Sequence, residues 1–246
     1  MIVKIGCCGF PKSRKKYYEV FNVVEVQRTF YKIPLDTTLA TWRKSAPPEF
    51  EFTVKAWQAI THPPTSPTWR KARLNISRDQ YDKYGFLRPT RENFDAWNKT
   101  VKAAIILKSK IIVVQTPSSF KCREENIENM RRFFQAIDRR GLLVAWEPRG
   151  DWLNNSKLLK SILEELDLIH VVDLLKRKPL STWPICYIRL HGLNGEINYK
   201  YKYSDRDLER LKEEVLLLEA NGCSEVYVMF NNVYMWDDAL RFKHII

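Results

Sequence analysis

Polar side chains of the kinds that enzymes use stand at the ends of short apolar segments throughout this sequence. Alternate residues of a segment share one face, and this face begins apolar and ends polar in seven of eight segments, as in Val23-x-Glu25 and Val113-x-Gln115. The residues that end this face are Glu25, Lys55, Gln115, Glu147, Asp173, Arg189, His191 and Asn231. If the segments are parallel strands, their polar ends meet and form one site.

Glu147 and His191 are the predicted centre of the chemistry. A carboxylate beside an imidazole can carry protons or activate water. Asp173 and Glu25 supply further acidic groups, and we predict catalytic roles for all four residues. The structural alternative for Glu147 is an ion pair with Arg149, two residues later, that holds a loop in place.

Two cations on the same face suit an anionic substrate. Arg189 can donate a bidentate hydrogen bond to a phosphate or carboxylate. Its alternative role is an ion pair with Asp173. Lys55 can act electrostatically, or as the amine of Schiff-base aldol chemistry. The predicted substrate-binding residues are Arg189, Lys55, His62, Gln115, Arg149, Asn231 and Tyr31.

The same acidic residues, together with two histidines, could also be ligands of a metal ion. Oxygen and imidazole ligands at Glu25, Glu147, Asp173, His191 and His62 suit Mg²⁺, Mn²⁺ or Zn²⁺. No H-E-x-x-H or similar local ligand spacing is present. A divalent metal therefore stays an open alternative to metal-free proton transfer.

The elements that must position these residues alternate between strand and helix. The eight predicted strands are Ile2–Gly9, Val23–Gln27, Phe50–Ala56, Ile111–Gln115, Leu142–Glu147, Ile169–Asp173, Ile185–His191 and Glu225–Asn231. The predicted helices between them include Asp36–Ser45, Arg91–Lys108, Glu124–Arg140 and Asp205–Ala220. This order predicts one α/β domain over residues 1–246, a (β/α)₈ TIM-type barrel that need not be regular. An open doubly wound sheet is the alternative, but no G-x-G-x-x-G follows the first strand.

The stretch Trp57–Thr90 after the third strand is long for a connection in such a barrel. It contains aromatic residues and the basic group Arg70–Arg73. We expect a lid over the mouth of the barrel that brings His62 near Lys55. The alternative is a satellite core that holds the loop down.

Composition narrows the possible partners. The formal net charge is +12, which favours phosphate-bearing partners, although the basic residues are spread along the chain as on an ordinary solvated surface. No apolar run is long enough to cross a membrane, and no signal peptide is evident. The five cysteines lack C-x-x-C spacing. We therefore expect a cytoplasmic protein with a small anion or nucleic acid as its partner.

Several stretches together resemble one known family. They are Ile5–Phe10, Val24–Tyr31, Phe52–Ala56 with Thr61-His62, Val114–Phe120, Trp146–Arg149 with Trp152, Tyr187–Gly192 and Val228–Asn232. On these residues the chain is identified as a member of the domain of unknown function 72 family, the YecE-like proteins. The resemblance implies a TIM-type barrel and no particular activity. The chain departs from the family pattern at Cys8-Gly9-Phe10, where Ser-Gly-Trp is usual, and at Gln27, where Asn is usual.

These observations predict an enzyme that acts on an anionic, phosphate-containing substrate. The first expectation is a phosphoester hydrolase, which includes nuclease-like activity. The alternatives are an enzyme of the sugar-phosphate isomerase or aldolase type, and a nucleic-acid-binding module without catalysis.

Overall fold

Eight parallel strands form a closed barrel in the computed structural model, which describes all 246 residues. Each strand pairs with its neighbours in chain order, and β8 closes the barrel on β1. The strands are β1 Ile2–Cys8, β2 Val23–Val26, β3 Glu51–Lys55, β4 Ile111–Gln115, β5 Leu143–Glu147, β6 Ile169–Val172, β7 Ile185–Leu190 and β8 Glu225–Phe230. The predicted TIM-type barrel is confirmed, with most strands one or two residues shorter than predicted.

Helices surround the barrel. They are α1 Arg14–Tyr18, α2 Arg28–Tyr31, α3 Asp36–Ser45, α4 Gln58–Thr61, α5 Pro67–Ala72, α6 Arg91–Ile106, α7 Glu124–Ala136, α8 Ser156–Glu165, α9 Asp205–Ala220 and α10 Met235–Ile245. No helix joins β6 to β7, so the barrel is irregular there. None of the helices has both the length and the apolar character needed to cross a membrane.

Two apolar cores follow from the alternation of the strands. Residues on one strand face, such as Val24, Phe52 and Trp146, pack under the helices in the larger core. Residues on the other face, such as Val113 and Met229, form a separate core inside the barrel. The polar ends of the strands continue this inner face, so they lie above the inner core at the carboxyl ends of the strands, where TIM-barrel sites occur.

The segment Trp57–Thr90 contains α4, α5 and a 3-10 helix, Arg78–Lys83, where the sequence analysis assigned only a loop. The amide of Asn93 on α6 fastens it: its Oδ1 accepts from Gly85 N at 3.2 Å, and its Nδ2 donates to Gly85 O and Arg88 O. Gly85 has φ +75°, and a Cβ there would lie 2.6 Å from the His62 carbonyl. Glycine is therefore required where the segment turns back behind His62.

Candidate active site

Arg189 lies at the centre of the polar cluster. It points inward from β7, and its side chain is fully buried. Its Nη2 lies 3.0 Å from Glu25 Oε1 of β2, and its Nη1 donates to Glu147 Oε2 of β5. A buried guanidinium needs such partners, because an unpaired charge inside a protein is costly. Arg189 therefore links three strands across the mouth of the barrel.

Glu147 is surrounded by positive charge. Its Oε1 accepts from Arg149 Nε at 2.9 Å and lies 2.7 Å from Arg149 Nη2. Burial would raise the pKa of Glu147, but the charges of Arg189 and Arg149 outweigh it and hold the pKa well below its ordinary value. Glu147 is thus a fixed carboxylate, with His191 Nε2 3.6 Å from its Oε1.

Asp173, directly after β6, has the opposite environment. Its Oδ2 accepts from the backbone N of His191 at 3.2 Å and lies 3.1 Å from Lys176 Nζ. Its Oδ1 is buried and has no hydrogen-bond partner. Burial raises the pKa of Asp173, although Lys176 partly offsets the effect. Of the acidic residues at the mouth, Asp173 is the one best suited to hold a proton.

Two histidines near the mouth are neutral. Burial, together with the nearby positive charges, lowers the pKa of His191 and of His62 to about 3. His62 Nδ1 lies 2.8 Å from the Thr61 hydroxyl, and its carbonyl accepts from Trp69 Nε1 at 2.9 Å. Both imidazoles can therefore accept a proton without first losing one.

Lys55 at the end of β3 is held without a carboxylate. Its Nζ donates to Gln115 Oε1 at 2.9 Å and lies 4.2 Å from the centre of the Phe30 ring. Burial and the charge of Arg189 lower the pKa of Lys55 to about 7. A large fraction of this amine is therefore uncharged near neutral pH.

A cavity of about 820 Å³ opens above these groups. Its floor includes Glu147, Asp173 and His191, and its walls come from the connections that follow β3, β4, β5, β6 and β7. Residues from the segment Trp57–Thr90 form one wall, and the loop after β4 contributes a second. The other polar or charged lining residues are His62, Thr65, Ser66, Thr68, Gln115, Ser118, Ser119, Arg149, Arg177 and Glu196.

A model of the family described as protein of unknown function DUF72 matches residues 10–244 of the chain. The chain belongs to the DUF72 family. The UPF0759 protein YunF of Bacillus subtilis is 24% identical over 246 residues, which covers 90% of this chain and 80% of YunF.

Solved structures agree with this assignment. A DUF72 family protein of Thermotoga maritima is 26% identical, with a TM-score of 0.72 over 100% of this chain and 99% of that one. A xylose isomerase domain containing protein of Salmonella typhimurium is 14% identical, with a TM-score of 0.58 over 98% and 94% of the two chains. The second likeness is one of fold alone.

Some predicted site residues of this DUF72 chain do not line the cavity. Lys55 is one of them, although its partner Gln115 does line it. Arg189 and Glu25 are fully buried beneath the floor. Arg189 is therefore not placed for the direct contact with a ligand that the sequence suggested. The suggested Arg189–Asp173 pair was also wrong, because Arg189 pairs with Glu25 and Glu147. The inward direction of Arg189 was predictable from strand alternation. How deeply its side chain is buried depends on the other strands of the barrel.

Two further predicted residues lie away from the floor. Tyr31 ends α2 and is 36% exposed. Asn231 follows β8, its backbone N donates to Leu190 O at 2.9 Å, and the residue is half-buried. Neither side chain belongs to the cavity lining, so their roles in binding a substrate stay predictions.

Several groups that complete the site were not predicted from the sequence. Tyr187 donates to Glu25 Oε2 at 2.9 Å and lies 2.7 Å from the Thr53 hydroxyl, which fixes Glu25 from below. Tyr187 shares the inward face of β7, and this alternation was the available signal. Lys176 and Arg177 come from the β6–β7 connection, whose path the sequence did not indicate.

The arrangement of donors does not suit a divalent metal. No group of three or more His, Cys, Asp and Glu side chains is placed to hold an ion. Glu25 and Glu147 both direct oxygens at Arg189, and Asp173 faces Lys176. Cations of the protein already occupy the positions that a metal would need.

Proposed function

We propose that the protein is an enzyme that acts on an anionic, phosphate-containing substrate in the cavity at the barrel mouth. One observation carries the proposal. Glu147 and Asp173 flank His191, face the same cavity, and have pKa values shifted in opposite directions. Titratable groups whose environments separate their pKa values are typical of paired acids and bases in enzymes.

Arg149 is the residue best placed to hold the phosphate. It lines the cavity, and its Nε and Nη2 face Glu147 and His191. Its Nη1 makes no hydrogen bond within the protein and is not a buried atom. A guanidinium with one free edge can donate to a phosphate oxygen while Glu147 keeps it oriented.

The reaction that follows first from this geometry is cleavage of a phosphoester. Asp173, whose pKa is raised by burial, gives a proton to the leaving oxygen. His191, which is neutral, accepts a hydrogen bond from the attacking water, and the carboxylate of Glu147 stabilises the positive charge that develops on the imidazole as the proton moves. Arg189 and Glu25 act as positioning residues, because they touch Glu147 or Arg189 and not the cavity.

A second candidate is an enzyme of the sugar-phosphate isomerase or aldolase type. The observation in its favour is Lys55, an inward-facing amine near the cavity that forms no ion pair. Such an amine can react with a carbonyl group, whereas a paired ammonium group cannot.

Phosphate binding is the first test. Titration of the protein with inorganic phosphate in a calorimeter should show binding that Arg149→Gln weakens by about 10-fold or more, the loss expected for a charge-assisted hydrogen bond.

Turnover is the second test, on sugar phosphates, simple phosphoesters and single-stranded and duplex oligonucleotides. Asp173→Asn should lower the rate on any substrate found by roughly 10²–10⁴-fold. Arg206→Gln changes an exposed arginine on α9 and is the matched control for Arg149→Gln, because both variants lose one positive charge. Failure of phosphate to bind, or equal binding by Arg149→Gln, contradicts the proposal. Oligonucleotide binding that is salt-sensitive and unchanged by both site variants favours a non-catalytic module instead.

A further inference from the structure

We infer that Lys55 is a nucleophile that forms an imine with the carbonyl group of a phosphate-bearing substrate. This inference rests on the proposed function and deepens it, because it assigns a second functional group to the substrate. The substrate class is then a small aldehyde or ketone that carries a phosphate.

The contrast between Lys55 and the other cations of the mouth is the first argument. Arg189, Arg149, Lys176 and Arg177 each face a carboxylate within the protein. Lys55 alone among them forms no ion pair, although its side chain is buried. A buried lysine is expected to be paired, wet or functional. An amide oxygen and an aromatic face are weak substitutes for a carboxylate.

The surrounding charges favour the free amine. Arg189 from β7 and Arg149 after β5 are the cations that act on Lys55. Glu25 from β2 and Glu147 from β5 oppose them, and both carboxylates are already engaged by arginines. His62, from the segment above, is neutral. Burial and these cations together lower the pKa of Lys55 to about 7, so the nucleophilic form is abundant at neutral pH.

Access to the amine comes through Gln115. This amide holds Lys55 Nζ at 2.9 Å and also lines the cavity. Lys55 is 6% exposed and does not itself line the cavity, so Gln115 must move aside for a carbonyl group to reach the amine. His62 lies beside this path, with its ring centre 5.0 Å from that of Phe30. A substrate with its phosphate on Arg149 would therefore present a carbonyl carbon towards Lys55.

The step balances without a redox partner. The uncharged Lys55 amine attacks the carbonyl carbon, and a C–N bond forms. The carbonyl oxygen takes up a proton, then a second, and leaves as water while the nitrogen gives up one of its protons. Asp173 and His191 are the proton carriers at the mouth. The product is a protonated imine, which withdraws electrons from the adjacent carbon and so permits its deprotonation or C–C cleavage.

Borohydride trapping tests the inference. The protein is incubated with dihydroxyacetone phosphate or ribose 5-phosphate, reduced with sodium borohydride, and mapped by peptide mass spectrometry. We expect one adduct per chain, located at Lys55, with a yield that rises with pH through about 7. Dihydroxyacetone and ribose, which lack the phosphate, should label Lys55 at least 10-fold less.

Lys55→Arg keeps the charge and removes the nucleophile, so it should abolish the adduct. Lys99→Arg, a change of an exposed lysine on α6, is the matched control and should leave labelling intact. Because the adduct is mapped on the unaltered protein, the test does not depend on the folding of a variant. Absence of an adduct from both phosphate probes overturns the inference, as does uniform labelling of surface lysines.

The two proposals fail in different ways. If inorganic phosphate binds and Arg149→Gln weakens it, but no adduct forms at Lys55, the imine is wrong and the phosphate site stands. If phosphate does not bind, the proposed function fails first, whatever the trapping experiment shows.

Discussion

At the scale of single residues, the site is a chain of alternating charges. Glu25, Arg189, Glu147 and Arg149 follow one another across the mouth, and each charge is held by the next. The sequence predicted that the first three would point inward, because strand alternation fixes the face of each side chain. It did not predict their order, which depends on which strand ends lie opposite each other across the barrel.

The first prediction concerns Glu147→Gln. The change removes one of the two carboxylates that neutralise buried Arg189, and breaking a buried ion pair costs about 3 kcal/mol of unfolding free energy. Because the pKa of Glu147 is lowered in the folded state, its stabilising effect is complete above its ordinary pKa of 4.5 and is lost as pH falls below it. The stability gap between the two proteins should therefore be widest at neutral pH.

Urea unfolding at pH 7 and at pH 4 measures this gap. Glu196→Gln is the control, since Glu196 is an exposed lining residue whose pair with Arg177 should contribute less than about 1 kcal/mol. Equal stability of Glu147→Gln and the parent protein at pH 7 would show that Arg189 does not need Glu147.

At the scale of elements, the periodicity of apolar residues predicted the strands of the barrel. The connections between strands were harder to predict. The strands alternate faces in both the sequence and the structure, and α3 and α9 begin and end at the predicted residues. Helix α7 ends at Ala136 instead of Arg140, because Ile137 is already extended. The helix Ser156–Glu165 was not delimited, although Leu159, Ile162 and Leu163 are spaced as one buried face.

The segment Trp57–Thr90 shows why part of the site was out of reach of the sequence. Its short helices are too brief for a clear apolar period, and α5 begins at a proline. The contacts that place His62 against the cavity come from Trp69 and from residues more than twenty positions later in the chain. Only tertiary packing brings these together.

The second prediction concerns the fastening of this segment by Asn93. Asn93→Ala removes three hydrogen bonds to the backbone of Gly85 and Arg88, at a cost of about 1–3 kcal/mol, although each of these backbone groups keeps a bond to another backbone group. The loss falls on the segment and not on the barrel, so limited proteolysis should cut within residues 57–90 several times faster. Asn98→Ala, an exposed position of α6, is the control and should be cut at the parent rate.

The same proteolysis experiment also tests whether the segment Trp57–Thr90 is a lid. Saturating inorganic phosphate should slow cleavage of the parent protein if the segment closes over the bound anion. Cleavage at the same rate with and without phosphate would contradict a lid and favour a fixed wall.

At the scale of the whole molecule, formal charge is spread over the surface, whereas the histidines with lowered pKa values lie in the interior. The net charge of +12 is distributed over many exposed lysines and arginines, with ion pairs such as Arg131–Glu165 joining neighbouring helices. Three of the four histidines are buried, and the pKa of each of His62, His170 and His191 is lowered to about 3. The mouth of the barrel and strand β6 therefore make the folded state sensitive to acid.

The last prediction follows from these three histidines. Their pKa values are lower in the folded chain than the ordinary 6.5, so the stability they permit is complete above pH 6.5 and is lost as pH falls towards 3. Between these limits the unfolding free energy should fall by up to about 4 kcal/mol per pH unit. His170→Gln, away from the cavity, should reduce that slope by about 1.4 kcal/mol per pH unit, whereas exposed His244→Gln should not change it. Denaturant unfolding from pH 7 to pH 4 measures the slope, and an unchanged slope in His170→Gln would mean that His170 takes up its proton in the folded state.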